Sequence, residues 1–213
     1  MHKINEKSTY QLYAVTNRSW ASNNYPFLTQ LEDALRGGVT CVQLREKNCS
    51  YDEYLNRAKE VVALCHNYGI PCLINDNVEV AINSGADGVH VGQSDRSASE
   101  VRTLIGPNKI LGVTVKTVEQ ALEAQKNGAT YLGTGAVFNT STKLDTYTIE
   151  HSIVSEICKA VSIPVIGIGG ITKDNLSQLE GLNLSGVAIV SGIFANTDIK
   201  QACEILKEGT KKL

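Results

Sequence analysis

The sequence predicts an α/β protein built as a (β/α)8 barrel, the TIM-barrel architecture, with residues 1–213 forming a single domain. Three observations predict it. Short apolar runs of strand length alternate with amphipathic stretches of helix length at a spacing of roughly 25 residues. Eight such units can be read, the number at which a parallel sheet of this kind closes on itself. The end of the first strand, Tyr13-Ala14-Val15-Thr16-Asn17, is not the glycine-rich phosphate loop that an open doubly wound sheet would want there.

Composition sets the outer limits. With 42% hydrophobic residues the chain has ample material for a core. A net charge of −2 argues against nucleic acid as the main partner, which needs a basic surface. No apolar run approaches the length of a membrane span, and Met1 to Glu6 is too polar to start a signal peptide, so the expectation is a cytoplasmic protein with no membrane partner. The six cysteines, Cys41, Cys49, Cys65, Cys72, Cys158 and Cys203, contain no CxxC pair and read as reduced thiols. A homo-oligomer is compatible with the sequence, which does not decide the oligomeric state.

The elements follow in order. Tyr10 to Thr16 alternates apolar residues and reads as the first strand, ending in the polar loop Asn17 to Asn24. Pro26 opens a helix that runs to Arg36 and stops at Gly37-Gly38. The second strand begins at Cys41. Ser50 caps a long helix, with Glu53 completing a capping box and Gly69 ending it. Pro71 to Ile74 is a short buried strand finishing at Asn75-Asp76, and a helix from Val78 to Asn83 follows. Gly88 to Val91 is the fourth strand, finishing at Gly92-Gln93-Ser94-Asp95. Ser97 to Ile105 reads as helix and Lys109 to Val115 as the fifth strand.

Thr117 caps a helix to Asn127, with Gln120 at the capping-box position and Gly128 as its stop. Ala129 to Leu132 reads as the sixth strand, opening into a long connection, Gly133 to Thr148. Glu150 to Ala160 is helical and Pro164 to Ile168 is the seventh strand. Thr172 or Asp174 caps the next predicted helix, Gly186 to Val190 is the eighth strand, and a final helix carries Ala202 to Lys211.

The chemistry concentrates at strand ends. In Cys41-Val42-Gln43-Leu44-Arg45-Glu46-Lys47, alternation puts Gln43, Arg45 and Lys47 on one face and Val42 and Leu44 on the other. A buried parallel strand is normally apolar on both faces. Here one face turns cationic at the end where barrels carry their sites, which calls for an anion. The plainer alternative is a salt-bridged strand end, with Glu46 or a neighbouring loop supplying the carboxylate. Asp76 and Asp95 end adjacent strands, and two carboxylates beside an anion site suit Mg²⁺. The plainer alternative is that each caps the next helix.

Strand seven runs into Gly169-Gly170-Ile171 and strand eight into Ser191-Gly192-Ile193, the pair of loops that in barrels often forms a phosphate site from backbone N–H groups. Glycines there could instead relieve crowding or make turns. Thr140, Ser141, Thr142 and Lys143 form a hydroxyl cluster ending in a lysine on the long sixth loop, and loops of that length are usually functional. Thr114 ends the fifth strand. His90, inside the fourth, reads as a core or supporting residue. No nucleophile–base pair stands out, which points to chemistry driven by a good leaving group.

The ordered set Gln43-Leu44-Arg45-Glu46-Lys47, Asn75-Asp76, Gly92-Gln93-Ser94-Asp95, Phe138-Asn139-Thr140-Ser141-Thr142-Lys143 and Ile168-Gly169-Gly170-Ile171 resembles thiamine phosphate synthase along nearly the whole chain. The resemblance implies a transferase that joins hydroxymethylpyrimidine diphosphate to thiazole phosphate. Gln43 through Lys47, Asn75 and Lys143 would hold the pyrimidine diphosphate, with Mg²⁺ on Asp76 and Asp95. Thr140 to Thr142, Gly170, Val190 and Ser191 would cradle the thiazole phosphate. Arg45, Lys47 and Lys143 would stabilise the departing diphosphate. Thr114, where the family usually has serine, completes the catalytic set, so the expected partners are small-molecule substrates. A thiazole tautomerase on the same barrel would not need this diphosphate and metal set. Phosphosugar isomerases want an acid–base pair, and a binding barrel that has lost catalysis would not need to keep these charges.

Overall fold

The computed structural model describes residues 6–140 and 147–213. The strands are β1 (Leu12–Val15), β2 (Cys41–Leu44), β3 (Cys72–Asn75), β4 (Gly88–Val91), β5 (Ile110–Val115), β6 (Tyr131–Gly135), β7 (Val165–Ile168) and β8 (Gly186–Ile189). Each is parallel to the next, and β8 returns to β1, so the sheet is a closed barrel in sequence order. Its helices are α1 (Phe27–Arg36), α2 (Tyr51–Asn67), α3 (Val78–Asn83), α4 (Ala98–Ile105), α5 (Val118–Lys126), α6 (His151–Ala160), α7 (Ser191–Phe194) and α8 (Ile199–Gly209). None of the described helices is long and apolar enough to cross a membrane.

Local chemistry explains most boundaries. Ser50 accepts from the Glu53 N–H while the Glu53 carboxylate returns to Ser50 N at 2.8 Å, and Ser97 with Glu100 repeats this box at α4. Thr117 caps α5 as expected, but Gln120 Oε1 accepts from Lys116 N–H at 2.8 Å, so the predicted reciprocal box is not made. Asp198 caps α8, which therefore starts ahead of the predicted Ala202.

Three further expectations are corrected. The run before β1 is partly a 3-10 turn, Lys7–Tyr10, so the strand starts at Leu12. β6 reaches Gly135, because Gly133 and Thr134 keep pairing with both β5 and β7; the glycines look like a loop in sequence yet serve here as close-packed strand. The connection after β7 holds a 3-10 turn, Leu176–Leu179, in place of a full helix. Gly181 and Asn183 both take positive φ just beyond it, which ends helical winding.

The sheet separates two cores. Outward residues such as Val42, Leu44, Ile74 and Val89 pack under the helices. Inward residues, Tyr10, Tyr13, Cys41, Leu73, Ile110, Tyr131, Ile166 and Ala188 among them, fill the barrel itself. Tyr10 stacks on Tyr131 with ring centroids 4.5 Å apart, and Tyr13 meets Tyr131 edge-on. Such large rings fit only opposite small residues. A Cβ at Gly112 would overlap both the Tyr131 hydroxyl and His90 Nδ1. Gly112→Ala is therefore expected to cost about 1–3 kcal/mol of stability by overpacking. The measurement is the urea midpoint; one equal to wild type would mean the interior yields around a methyl.

Candidate active site

A cavity of about 180 Å³ opens where the strands end. Gln43, Arg45, Asn75 and Thr114 line one part of it, and Thr140, Gly170, Val190 and Ser191 another, so these eight predicted residues are brought together. Gln43 is nearly buried; its Nε2 donates to Tyr13 Oη at 3.0 Å, which leaves Oε1 without a hydrogen bond from any described residue. Tyr54, reaching in from α2, donates to the carbonyls of Leu44 and Asn75 and so ties the ends of β2 and β3 together.

The plainer readings of the charged residues can now be tested. Glu46 does not neutralise Arg45 or Lys47. Its Oε2 pairs with Arg57 at 2.8 Å and with Arg18 at 3.6 Å, and its side chain is only 7% exposed. Neither Arg45 nor Lys47 has an ion pair to a described residue. The carboxylates are likewise spared as helix caps, because Asn77 caps α3 and Ser97 caps α4. Asp76 has φ of +61°, an uncommon backbone for a residue with a side chain, and its Oδ2 accepts from Asn75 Nδ2 at 2.6 Å. Asp95 Oδ2 accepts from Gly92 N–H at 2.7 Å. Both carboxylates are exposed at the same end of the barrel, after paired strands.

Crowding accounts for part of the glycine signal. A Cβ at Gly170 would overlap the Asn139 carbonyl, and one at Gly169 would approach the Ala136 Cβ at 2.6 Å. The chain after β6 lies on this turn, with Val137 N–H donating to the Ile168 carbonyl at 2.9 Å. The N–H groups of Gly170 and Ser191 donate to no described residue, and both residues border the cavity.

Comparison with known proteins decides the family. The family model described as thiamine monophosphate synthase matches residues 12–193. The chain belongs to the thiamine monophosphate synthase family. A thiamine-phosphate synthase of Clostridium botulinum (strain Eklund 17B / Type B) is 43% identical over 99% of this chain and 98% of the relative. One from Clostridioides difficile (strain 630) is 46% identical over 93% of this chain and 94% of the relative. The solved thiamine phosphate pyrophosphorylase from Pyrococcus furiosus superposes with a TM-score of 0.88 at 34% identity, over 96% of this chain and 97% of that one. Membership makes the protein a transferase of thiamine biosynthesis acting on small molecules.

Within this family member, two residues expected at the site are turned from it. The Leu44 side chain is fully buried in the outer core, and Glu46 is committed to its arginines; strand alternation sends both away from the cavity. Lys47 is exposed beyond the cavity wall. Ser141, Thr142 and Lys143 lie outside the described residues. The sequence reading missed Lys116 and Tyr13, which line the cavity, and gave His90 no role there. The rule that found Gln43, Arg45 and Lys47 would have found Lys116: it continues the inward face of β5 through Gly112 and Thr114. Its Nζ sits 3.7 Å from the centroid of the Tyr147 ring. Glu46→Ala would leave Arg57 facing an apolar gap, and part-exposure of the arginines moderates the cost to about 1–3 kcal/mol. Denaturant unfolding reads it; a change inside 0.5 kcal/mol would make the Glu46–Arg57 pair a bystander.

Proposed function

We propose that this chain, acting as one domain, joins hydroxymethylpyrimidine diphosphate to hydroxyethylthiazole phosphate, releasing diphosphate and giving thiamine phosphate. The observation that carries this reading is the set of charges at the ends of β2, β3 and β4. Arg45 and Lys47 have no ion pair to a described residue, and Asp76 and Asp95 are not the caps of α3 and α4. All four lie at the end of the barrel where the cavity opens, across from the N–H groups of Gly170 and Ser191, which donate to no described residue. One region suits a diphosphate and the other a phosphate.

In this reading Gln43 and Asn75 orient the aminopyrimidine, and Arg45 and Lys47 face the diphosphate. Gly170, Val190 and Ser191 cradle the thiazole phosphate with backbone N–H groups, joined by Thr140, Ser141 and Thr142. The pyrimidine methylene loses diphosphate as the electron-rich ring takes up the positive charge. The thiazole nitrogen then attacks with its own lone pair, so no general base is needed. Arg45, Lys47 and Lys143 stabilise the charge that grows on the leaving group, which is preorganised electrostatic catalysis, and Thr114 sits with its hydroxyl on the same wall.

Asp76 and Asp95 fit a magnesium ion. Both offer hard oxygen donors, and among the described residues no group of three or more His, Cys, Asp or Glu side chains forms a closed cage. That donor set suits a cation that completes its shell with phosphate oxygens and water, as Mg²⁺ does. When bound, Mg²⁺ would supply further neutralisation of the departing diphosphate. The cytoplasm, where such phosphorylated intermediates are made, is the proposed location.

Purified protein given both substrates and Mg²⁺ is expected to yield thiamine phosphate, EDTA to stop turnover, and added Mg²⁺ to restore it. Undiminished turnover after thorough metal stripping would remove the metal from the scheme. Arg45→Ala is expected to lower kcat about 10²-fold, near 2.7 kcal/mol, because one well-placed electrostatic donor typically contributes that much. Single-turnover rates decide; an unchanged chemical step would reduce Arg45 to a surface charge.

A further inference from the structure

Five polar side chains, each from a different strand, make one unbroken hydrogen-bonded chain beneath the cavity. Gln43 Nε2 lies 3.0 Å from Tyr13 Oη, and Tyr13 Oη lies 2.8 Å from Tyr131 Oη. Tyr131 Oη is 2.7 Å from His90 Nδ1, and His90 Nε2 is 2.9 Å from Thr114 Oγ1. Both ends, Gln43 and Thr114, line the cavity, whereas Tyr131 is fully buried and does not. The central link passes over Gly112, where any side chain would displace it.

With the Gln43 amide turned so that Nε2 donates to Tyr13, the direction of every other bond follows from counting protons. Burial pushes both phenols well above their usual pKa, so each keeps one proton to donate. Tyr13 accepts from the Gln43 amide, and its own proton goes to the Tyr131 oxygen; the Cys41 thiol, also close, is a much weaker acceptor. The Tyr131 proton must then go to His90 Nδ1, which fixes the histidine proton on Nε2. That proton points at Thr114 Oγ1, and the threonine keeps its hydroxyl proton for the cavity. At the far end Gln43 Oε1 is left as an acceptor. Turning the Gln43 amide over would reverse every bond in sequence and make Thr114 the acceptor. A mixed arrangement would strand a buried phenol without its partner, which is costly.

We propose that this chain is a polarity relay: it couples Gln43 to Thr114 so that the cavity accepts a hydrogen bond at one end while donating one at the other. Tyr13, Tyr131 and His90 are then positioning residues, and the resting relay selects a ligand with an N–H donor opposite Gln43 and an acceptor atom opposite Thr114. An aminopyrimidine carrying a diphosphate has that pattern; this identification of the ligand rests on the function proposed above, but the relay itself does not.

The test uses Tyr131→Phe, which removes the middle link without touching the cavity wall. In ligand-free wild-type protein, the ¹⁵N signals of His90, assigned by their loss in His90→Gln, are expected to show a protonated Nε2 and a bare Nδ1. In Tyr131→Phe the ring should become a mixture of tautomers. The wild-type enzyme should also prefer the aminopyrimidine diphosphate over the analogue with a carbonyl in place of the amine. Tyr131→Phe should lose about tenfold of that kcat/KM ratio, the value of one hydrogen bond. A mixture of tautomers in the wild type, or an unchanged ratio in folded Tyr131→Phe, would overturn the relay; a proton held on Nδ1 alone would overturn its resting direction and with it the ligand pattern given above. If Tyr131→Phe does not fold, the wild-type tautomer decides alone. A wild type with the expected tautomer but no thiamine phosphate synthesis would count against the proposed function and leave the relay standing.

Discussion

A closed barrel of parallel strands has no edge, and its interior is too narrow to hold water beside large side chains, so each inward polar group needs a partner inside the barrel. This constraint orders the molecule. Tyr10, Tyr13 and Tyr131 fill the space that glycines leave on neighbouring strands, and their ring faces satisfy the apolar requirement. The hydroxyls of Tyr13 and Tyr131 cannot reach solvent, so they bond to each other and pass the connection to Gln43 and His90. The same rings that close the barrel below thus set the polar ends that face the cavity above.

A second consequence of alternation concerns charge. Along β2 and its extension, Gln43 and Arg45 face inward while Leu44 and Glu46 face the helices. Glu46 there meets Arg57 of α2, and Arg18 approaches from the loop after β1. A carboxylate placed between two basic residues in sequence is in this way taken up by two other arginines. In the proposed reading the cationic face is left to the diphosphate. Burying the pair Glu46–Arg57 gains little net stability by itself, but it fixes the strand end that carries Arg45.

Much of the barrel was legible because its signals are local. Ser50 with Glu53, Asn83 before Ser84-Gly85, and the short strand Gly88 to Val91 between glycines each act within a few residues, and the corresponding boundaries were found. The sixth strand was cut short because Gly133 and Gly135 resemble a break until their neighbours on β5 and β7 are known. Leu44 and Glu46 were placed at the site because a motif was carried over whole, although alternation had already assigned Leu44 to the other face. The relay was not legible at all. Its members are 13, 43, 90, 114 and 131 in the sequence, and nothing local tells a buried tyrosine that packs from one that also passes on a hydrogen bond. Only barrel closure makes those strands meet.

Thr114 shows how the two levels combine. The resembling family usually carries serine at this position, and the extra methyl leaves the hydroxyl's direction open from sequence alone. A β-branched side chain has few χ1 choices, and here one of them holds Oγ1 2.9 Å from His90 Nε2. The methyl therefore does not displace the hydroxyl from the cavity wall; with His90 held by Tyr131, it restricts the hydroxyl to the rotamer that the buried chain can reach. Serine could rotate away from the histidine at little cost, whereas threonine resists that rotation. In the proposed reading, where a donor at this point meets an acceptor on the ligand, threonine trades serine's adaptability for a hydroxyl that is set before the ligand arrives, which is the form of preorganisation that electrostatic catalysis requires.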